Sequence, residues 1–249
     1  MRGEVHANVG VSARSDARHG DGLPALAVRW LGVVPYREAL ARQASLVEER
    51  RAGGIPDTLL LLEHPNVITL GVKRASARAN VTAAPDRLKE LGVELAEAGR
   101  GGDVTYHGPG QLVAYPILDL RPDRCDVHRY VRDLEEVMIR VCADYRLAAG
   151  RIMGLSGAWI EGRKIGAVGV RISRWITSHG VAFNVAPRLD YFRLIVPCGI
   201  PDRDVTSLAR ELGRDVAVRE VITSFVRAFA AVFGRAPLLD ASVEPDGAR

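Results

Sequence analysis

Hydrophobic residues are spaced along the chain in two patterns, one typical of strands and one typical of helices. Short apolar runs predict strands, and apolar residues three or four positions apart predict helices. Helices are expected over Tyr36–Val47, Val131–Tyr145 and Val218–Val232. Strands are expected over Thr58–Glu63, Val67–Leu70, Leu112–Leu118, Ala158–Ile160, Lys164–Ile172 and His179–Val185. Because most of these strands follow one another through short turns, the pattern predicts an α+β fold with a mixed or antiparallel β-sheet flanked by helices.

The two ends of the chain show neither pattern. Residues 1–25 and 241–249 are therefore expected to be flexible tails around one domain, residues 26–240. In the first predicted helix the apolar face is expected to hold Tyr36, Leu40, Ala44 and Val47. No apolar run approaches the ~20 residues that a membrane span requires. The acidic residues among the first arginines argue against a secretory signal or a transit peptide.

The composition shows a weak net positive charge and indicates a protein of a reducing compartment. The 249 residues carry a net charge of +4, which suits acidic protein partners and is too weak to indicate nucleic acid. The three cysteines, Cys125, Cys142 and Cys198, form no Cys-x-x-Cys pair, and an odd number is typical of a reduced, cytoplasmic protein. Cys142 follows the apolar face of a helix and is expected to be an inert core thiol.

The densest group of glycine and polar residues is Arg100–Gln111. Glycines let backbone N–H groups approach a ligand closely, and polar side chains between them can orient it. A turn whose polar groups satisfy one another is an equally good interpretation of this spacing. The segment lacks the glycine fingerprints of dinucleotide-binding folds and P-loops.

Cys198 and Lys164 form the candidate nucleophilic pair. Cys198 lies between Pro197 and Gly199, a turn that can hold a thiol at a cleft, although cysteine more often fills a gap in a core. Lys164 is one of three lysines among 34 basic residues, so a plain surface cation would more often be arginine in this chain. An ammonium beside a thiol favours the nucleophilic thiolate.

Three histidines, His64, His107 and His179, are candidate bases or ligands, with a structural hydrogen-bonding role as the alternative for each. His107 and His179 stand beside glycines and are better candidates than His64. No His-x-x-x-His spacing occurs, so no metal is expected.

Together these segments resemble the lipoyl(octanoyl) transferase family. The resemblance runs from Glu63-His64-Pro65 to Thr206-Ser207-Leu208. Its signature residues are Arg100-Gly101-Gly102, Thr105-Tyr106-His107, Gly110-Gln111 and Tyr115. The downstream matches are Lys164-Ile165, Ala167-Val168-Gly169, His179-Gly180 and Pro197-Cys198-Gly199. The chain departs from the family at Gly166, where alanine is usual.

The resemblance implies the catalytic-domain fold of biotin and lipoate protein ligases, a mixed sheet with helices on one face. It implies transfer of octanoyl from octanoyl-acyl carrier protein to a lysine of lipoyl domains, in 2-oxoacid dehydrogenase complexes and in glycine-cleavage H protein. No cofactor, nucleic acid or membrane is expected. Cys198 would carry the acyl thioester and Lys164 would be its catalytic partner, with His179 and His64 in support. The implied substrate-binding residues are Arg100, Gly101, Gly102, Asp103, Val104, Thr105, Tyr106, His107, Ala167, Val168, Gly169, Gly180, Val181 and Ala182.

Residue chemistry supports this reaction at one point and leaves alternatives. A lysine can act first as an ammonium and later as a base, which arginine cannot do. An ATP-dependent lipoate or biotin ligase would need no Cys198 and tends to carry Asp where Gly108 follows His107. A catalytically inactive module that binds carrier protein would form no acyl adduct. A cysteine protease is a weaker alternative, because no Asn or Asp orienting group is evident.

Overall fold

The computed structural model describes residues 22–72, 74–196 and 204–243, which form eleven strands, six α-helices and one 3₁₀ helix. The strands are β1 (Ala25–Val33), β2 (Asp57–Glu63), β3 (Val67–Leu70), β4 (Glu94–Glu97), β5 (Val104–His107), β6 (Gln111–Ile117), β7 (Gly150–Ile152), β8 (Leu155–Ile160), β9 (Arg163–Ser173), β10 (Ile176–Asn184) and β11 (Ala236–Leu239). The α-helices are α1 (Tyr36–Arg51), α2 (Arg74–Ala79), α3 (Pro85–Glu90), α4 (Val127–Asp144), α5 (Leu208–Leu212) and α6 (Val218–Phe233), and the 3₁₀ helix is Leu189–Leu194.

Eight strands form a mixed sheet in the order β11-β1-β2-β6-β10-β9-β8-β7. β1 runs parallel to both β2 and β11, and the remaining pairs are antiparallel. The predicted mixed sheet is therefore confirmed. None of the helices in the described ranges is long and apolar enough to cross a membrane.

Both faces of this sheet are covered by helices. Alternate side chains of β2 divide between them: Leu59 and Leu61 join the core beneath α4 and α6, whereas Leu60 and Leu62 join the core beneath α1. The expectation of helices on one face was wrong, because β2 and β6 are apolar on both sides.

The buried face of α1 is rotated from the predicted one. Tyr36, Ala39, Gln43 and Leu46 are buried, and Ala44 is exposed. The physical reason is a long-range hydrogen bond, in which the backbone N–H of His179 donates to Gln43 Oε1 at 2.7 Å. This bond gives the Gln43 oxygen a partner inside the protein, although periodicity alone assigns this side chain to the surface.

Three strands form a second, smaller sheet in the order β4-β3-β5. Its core includes Ile68, Leu70, Val104 and Tyr106 and packs against the 3₁₀ helix. The glycine-rich residues 100–103 connect β4 to β5, and the Gly101 N–H donates to the Val170 carbonyl at 2.9 Å. This bond places the connection against β9 of the large sheet.

Candidate active site

A pocket lies between the two sheets. Its walls come from the glycine-rich connection, from β5 and from strands β6, β9 and β10, with Tyr36 from α1. Most of the predicted site residues line it: Arg100, Gly102, Asp103, Val104, Thr105, His107, Lys164, Ala167, Val168, Gly169, His179, Gly180, Val181 and Ala182.

Of the predicted site residues that the structure describes, three do not line the pocket. The Tyr106 ring belongs to the core of the small sheet, and its hydroxyl donates to Asn66 Oδ1 at 2.8 Å. Gly101 contributes its backbone N–H to the bond with β9. His64 is fully buried, with Nδ1 2.6 Å from the Val34 carbonyl and Nε2 2.8 Å from the Tyr115 hydroxyl. These residues hold the neighbouring elements in place.

Arg100 organises the glycine-rich connection from inside the protein. Its guanidinium donates to the Thr69 carbonyl at 2.9 Å and to Thr69 Oγ1 at 2.8 Å. It also donates to the carbonyls of Gly101 and Asp103, at 3.1 and 3.0 Å. A Cβ atom at Gly169 would lie 2.8 Å from Arg100 Cδ, so glycine at that position leaves room for the guanidinium stem.

Lys164 lines the pocket and forms a β-bridge with Val205, which also lines it. Its Nζ is 4.7 Å from the centroid of the Trp159 ring, a cation–π contact. Its backbone is fixed on both sides, because its N–H donates to the Asp204 carbonyl and its carbonyl accepts from the Thr206 N–H, both at 2.9 Å. Of the other two lysines, Lys89 is exposed on α3, and residue 73 lies outside the described chain.

Cys198, with Pro197 and Gly199, lies outside the described residues. The described residues on either side of it are attached to the pocket. Val196 N–H donates to the Asn80 carbonyl at 2.7 Å, and the Asn80 side chain donates to Asp103 at 2.5 Å. On the other side, Asp204 is bonded to Lys164. Cys125 is exposed and Cys142 is buried; burial raises the pKa of the Cys142 thiol to about 12, as expected for an inert core thiol.

The three candidate histidines are buried and neutral near pH 7. Burial lowers the pKa of His64 and of His179 to about 4. Burial, with the nearby His64 and Arg100, holds the pKa of His107 well below its ordinary value. His107 Nδ1 donates to Gln111 Oε1 at 2.7 Å, so this ring is fixed by a neutral hydrogen bond.

Seven pocket residues were not predicted as site residues: Tyr36, Gln111, Tyr115, Ser156, Asn184, Phe192 and Val205. Gln111 and Asn184 are directly opposite in β6 and β10, and their side chains are hydrogen-bonded at 3.0 Å. The signal that could have identified this pair is the presence of two amide side chains on strands that are otherwise mostly apolar. Tyr36 carries no such signal, because its place in the sequence is that of an ordinary helix-core residue.

Comparison with known sequences places these features in one family. Residues 35–230 match the lipoyl protein ligase A/B catalytic domain. The chain is 50% identical over 208 residues to an octanoyltransferase of Koribacter versatilis, with 82% of each chain covered. It is also 50% identical over 212 residues to an octanoyltransferase of Rubrobacter xylanophilus, covering 84% of this chain and 95% of that protein. A match of equal identity in Myxococcus xanthus spans only 58% of that longer octanoyltransferase.

Solved structures share the fold at low sequence identity. A lipoate-protein ligase A bound with ATP superposes with a TM-score of 0.67 at 19% identity, over 87% of each chain. The bipartite lipoate protein ligase of Thermoplasma acidophilum gives a TM-score of 0.66 at 19% identity, over 87% of this chain and 86% of that one. The expected ligase-type catalytic fold is confirmed.

Proposed function

The chain belongs to the lipoyl protein ligase A/B catalytic-domain family, and on that premise we propose that it is an octanoyltransferase acting through Cys198 and Lys164. The donor is octanoyl-acyl carrier protein. The acceptor is a lysine ε-amine of a lipoyl domain, as in 2-oxoacid dehydrogenase complexes and glycine-cleavage H protein. The product is an octanoyl amide, the first step in lipoylation of these proteins.

The observation that carries this proposal is the shape and lining of the pocket beside Lys164. Small and apolar residues of β9 and β10 form one wall: Ala167, Val168, Gly169, Gly180, Val181 and Ala182. Each methylene buried on such a wall is worth ~0.8 kcal/mol, so the pocket suits a saturated acyl chain. In the proposed complex the reactive carbonyl of the chain lies beside Lys164.

Chain connectivity supports Cys198 as the nucleophile at this carbonyl. Two positions before Cys198, Val196 is attached through Asn80 to Asp103, which lines the pocket. Six positions after it, Asp204 is bonded to Lys164. The described chain on both sides of Cys198 is thus attached to the pocket, which supports the proposal that this thiol serves it.

In the first half-reaction the Cys198 thiolate attacks the octanoyl thioester. The thioester bond to the carrier protein breaks, and the departing thiolate takes a proton from the Lys164 ammonium. One thioester replaces another, so this exchange needs little driving force.

In the second half-reaction the acceptor amine attacks the Cys198 thioester. An amide bond forms, the Cys198 thiolate leaves, and Lys164, now neutral, takes the proton that the amine loses. Lys164 and Cys198 thereby return to their starting charges. Formation of an amide from a thioester makes the overall transfer downhill.

Charge and cysteine content support the assigned partners and compartment. A net charge of +4 complements acidic carrier and acceptor proteins. The free thiols of Cys125 and Cys142 are consistent with the reducing cytoplasm.

The test is the intact mass of the protein after incubation with octanoyl-acyl carrier protein. We expect one octanoyl adduct that maps to Cys198, disappears in Cys198→Ser and persists in the matched control Cys125→Ser, which removes an exposed thiol. Free octanoate with ATP should give no transfer, whereas an ATP-dependent ligase would use it. An adduct on Cys125 or Cys142, or none at all, would overturn the proposal.

A further inference from the structure

Tyr36 separates the acyl pocket from a second cavity. The second cavity is partly open to solvent and lies under the start of α1, against β3 and β4. Tyr36 lines both spaces, and its side chain is almost completely buried. A single ring therefore stands between the two spaces.

Ring packing holds Tyr36 in this position. Its ring is stacked on His107, with centroids 6.3 Å apart and planes 12° apart, and meets the edge of His64 at 5.3 Å. His64 is itself fixed by its bonds to Val34 and Tyr115. The Tyr36 hydroxyl makes no hydrogen bond to any described residue. The ring, and not the hydroxyl, is therefore what maintains the partition.

The lining of the second cavity is partly aliphatic and partly charged. Leu40, Leu70, Leu95 and Ala96 supply aliphatic surface, and its charged side chains are Arg37, Arg78 and Glu97. Arg37 and Arg78 are exposed, so these two charges face solvent and leave the aliphatic surface for a ligand.

We propose that Tyr36 is the specificity-determining residue that sets the maximum acyl length, by closing the pocket against the second cavity. This inference rests on the proposed acyl transfer. A ring that blocks the way into the second cavity leaves a medium-length chain buried in the acyl pocket and gives a longer chain no space for its last methylenes. Removing the ring joins the two cavities, and a longer chain then extends through the vacated space beside His64 and His107.

The test compares the rates at which Cys198 is acylated by eight-, twelve- and fourteen-carbon acyl-carrier proteins. In Tyr36→Ala the ratio of the twelve-carbon to the eight-carbon rate should rise by at least about tenfold, the effect of roughly two newly buried methylenes. Tyr36→Phe keeps the ring and should keep the wild-type ratio. Leu40→Ala, which enlarges the second cavity and leaves the partition intact, should also keep it.

The outcomes separate this inference from the proposed function. If the wild type transfers octanoyl and Tyr36→Ala keeps the wild-type length preference, the inference is wrong and the function stands. If the wild type accepts no acyl donor, the proposed function itself is wrong, and the inference that rests on it is wrong with it. Circular dichroism checks the folding of each variant, and Tyr36→Leu, which retains apolar burial, provides a second opening of the partition with the same expected direction.

Discussion

At the scale of single residues, Lys164 is the side chain whose proton chemistry the proposed reaction uses in both half-reactions. Lys164→Arg keeps a cation over the Trp159 ring but removes a group that can lose and regain a proton. We expect Cys198 in this variant to alkylate readily near neutral pH, while octanoyl transfer to a lipoyl domain falls about 100-fold or more. Iodoacetamide labelling and a transfer assay measure the two effects.

The matched control for this experiment is Lys89→Arg on the exposed side of α3, which should leave both rates unchanged. Wild-type transfer by Lys164→Arg would refute the dual role of the lysine.

A site residue could be predicted from the sequence where its residue type is rare in this chain. Lys164 was identified because lysine is scarce in a chain rich in arginine, and the structure places it in the pocket. Tyr36 and Asn184 were not identified, because their importance depends on neighbours far away in the sequence. Asn184, for example, is held by Gln111 and by the Thr206 carbonyl, contacts that only the folded sheet creates.

At the scale of elements, β9 packs on α4 so that the side chain of Met138 occupies the space beside Gly166. A Cβ atom at Gly166 would overlap Met138 Sδ, the flexible end of that side chain. Met138 from α4 thus fills the space that a side chain on β9 would need. Gly166→Ala should lower the free energy of unfolding by about 1 kcal/mol, the low end of the cost of overpacking a core, because the Met138 thioether can shift.

A double-mutant cycle in urea tests this explanation. Met138→Ala vacates the space, so adding Gly166→Ala to it should cost less than in the wild type. Gly150→Ala on β7, where an added Cβ meets no atom within 4 Å, is the control. Equal costs in the two backgrounds would show that contact with Met138 is not what makes the substitution costly.

Periodicity predicted the bounds of a strand or helix correctly wherever one face of that segment packs on a single core. Val67–Leu70 was predicted at its observed bounds, and the last helix within one residue. β1 and β11 were missed because they are stabilised by parallel pairing between distant segments, which leaves no hairpin signal in the sequence. The rotated face of α1 was missed for a similar reason, since the partner of Gln43 comes from β10.

At the scale of the whole molecule, the buried histidines make the fold sensitive to acid. In the folded protein the pKa values of His64 and His179 are about 4, and that of His107 is also well below the ordinary value. In the unfolded chain histidine titrates near ~6.5. Between those values the unfolded chain binds more protons, so the free energy of unfolding falls as the pH drops below about 6.5.

Each histidine contributes a slope of up to about 1.4 kcal/mol per pH unit in this range. Urea unfolding at about pH 7.5 and about pH 5.5 should therefore show a loss of stability of at least about 1 kcal/mol. His64→Gln should reduce the loss, and His128→Gln, on the exposed side of α4, should not. A free energy of unfolding that does not change between these pH values would contradict the assignment of neutral buried histidines.

The pocket itself was accessible from the sequence only through family resemblance. Periodicity predicts β9, β10 and the glycine-rich connection as separate segments, and it cannot state that they face one another. Their meeting depends on the insertion of β10 between β6 and β9, and on the bond from Gly101 to Val170. Both are long-range consequences of sheet order.

The alternation of side chains along β6 has an evolutionary consequence. Leu112 and Ala114 point into the core beneath α4 and α6, whereas Gln111 and Tyr115 line the pocket. Selection for a stable protein and selection for a particular substrate thus act on different codons of the same strand. A lineage can acquire a new substrate preference by changing one set of alternating positions while inheriting the other set unaltered.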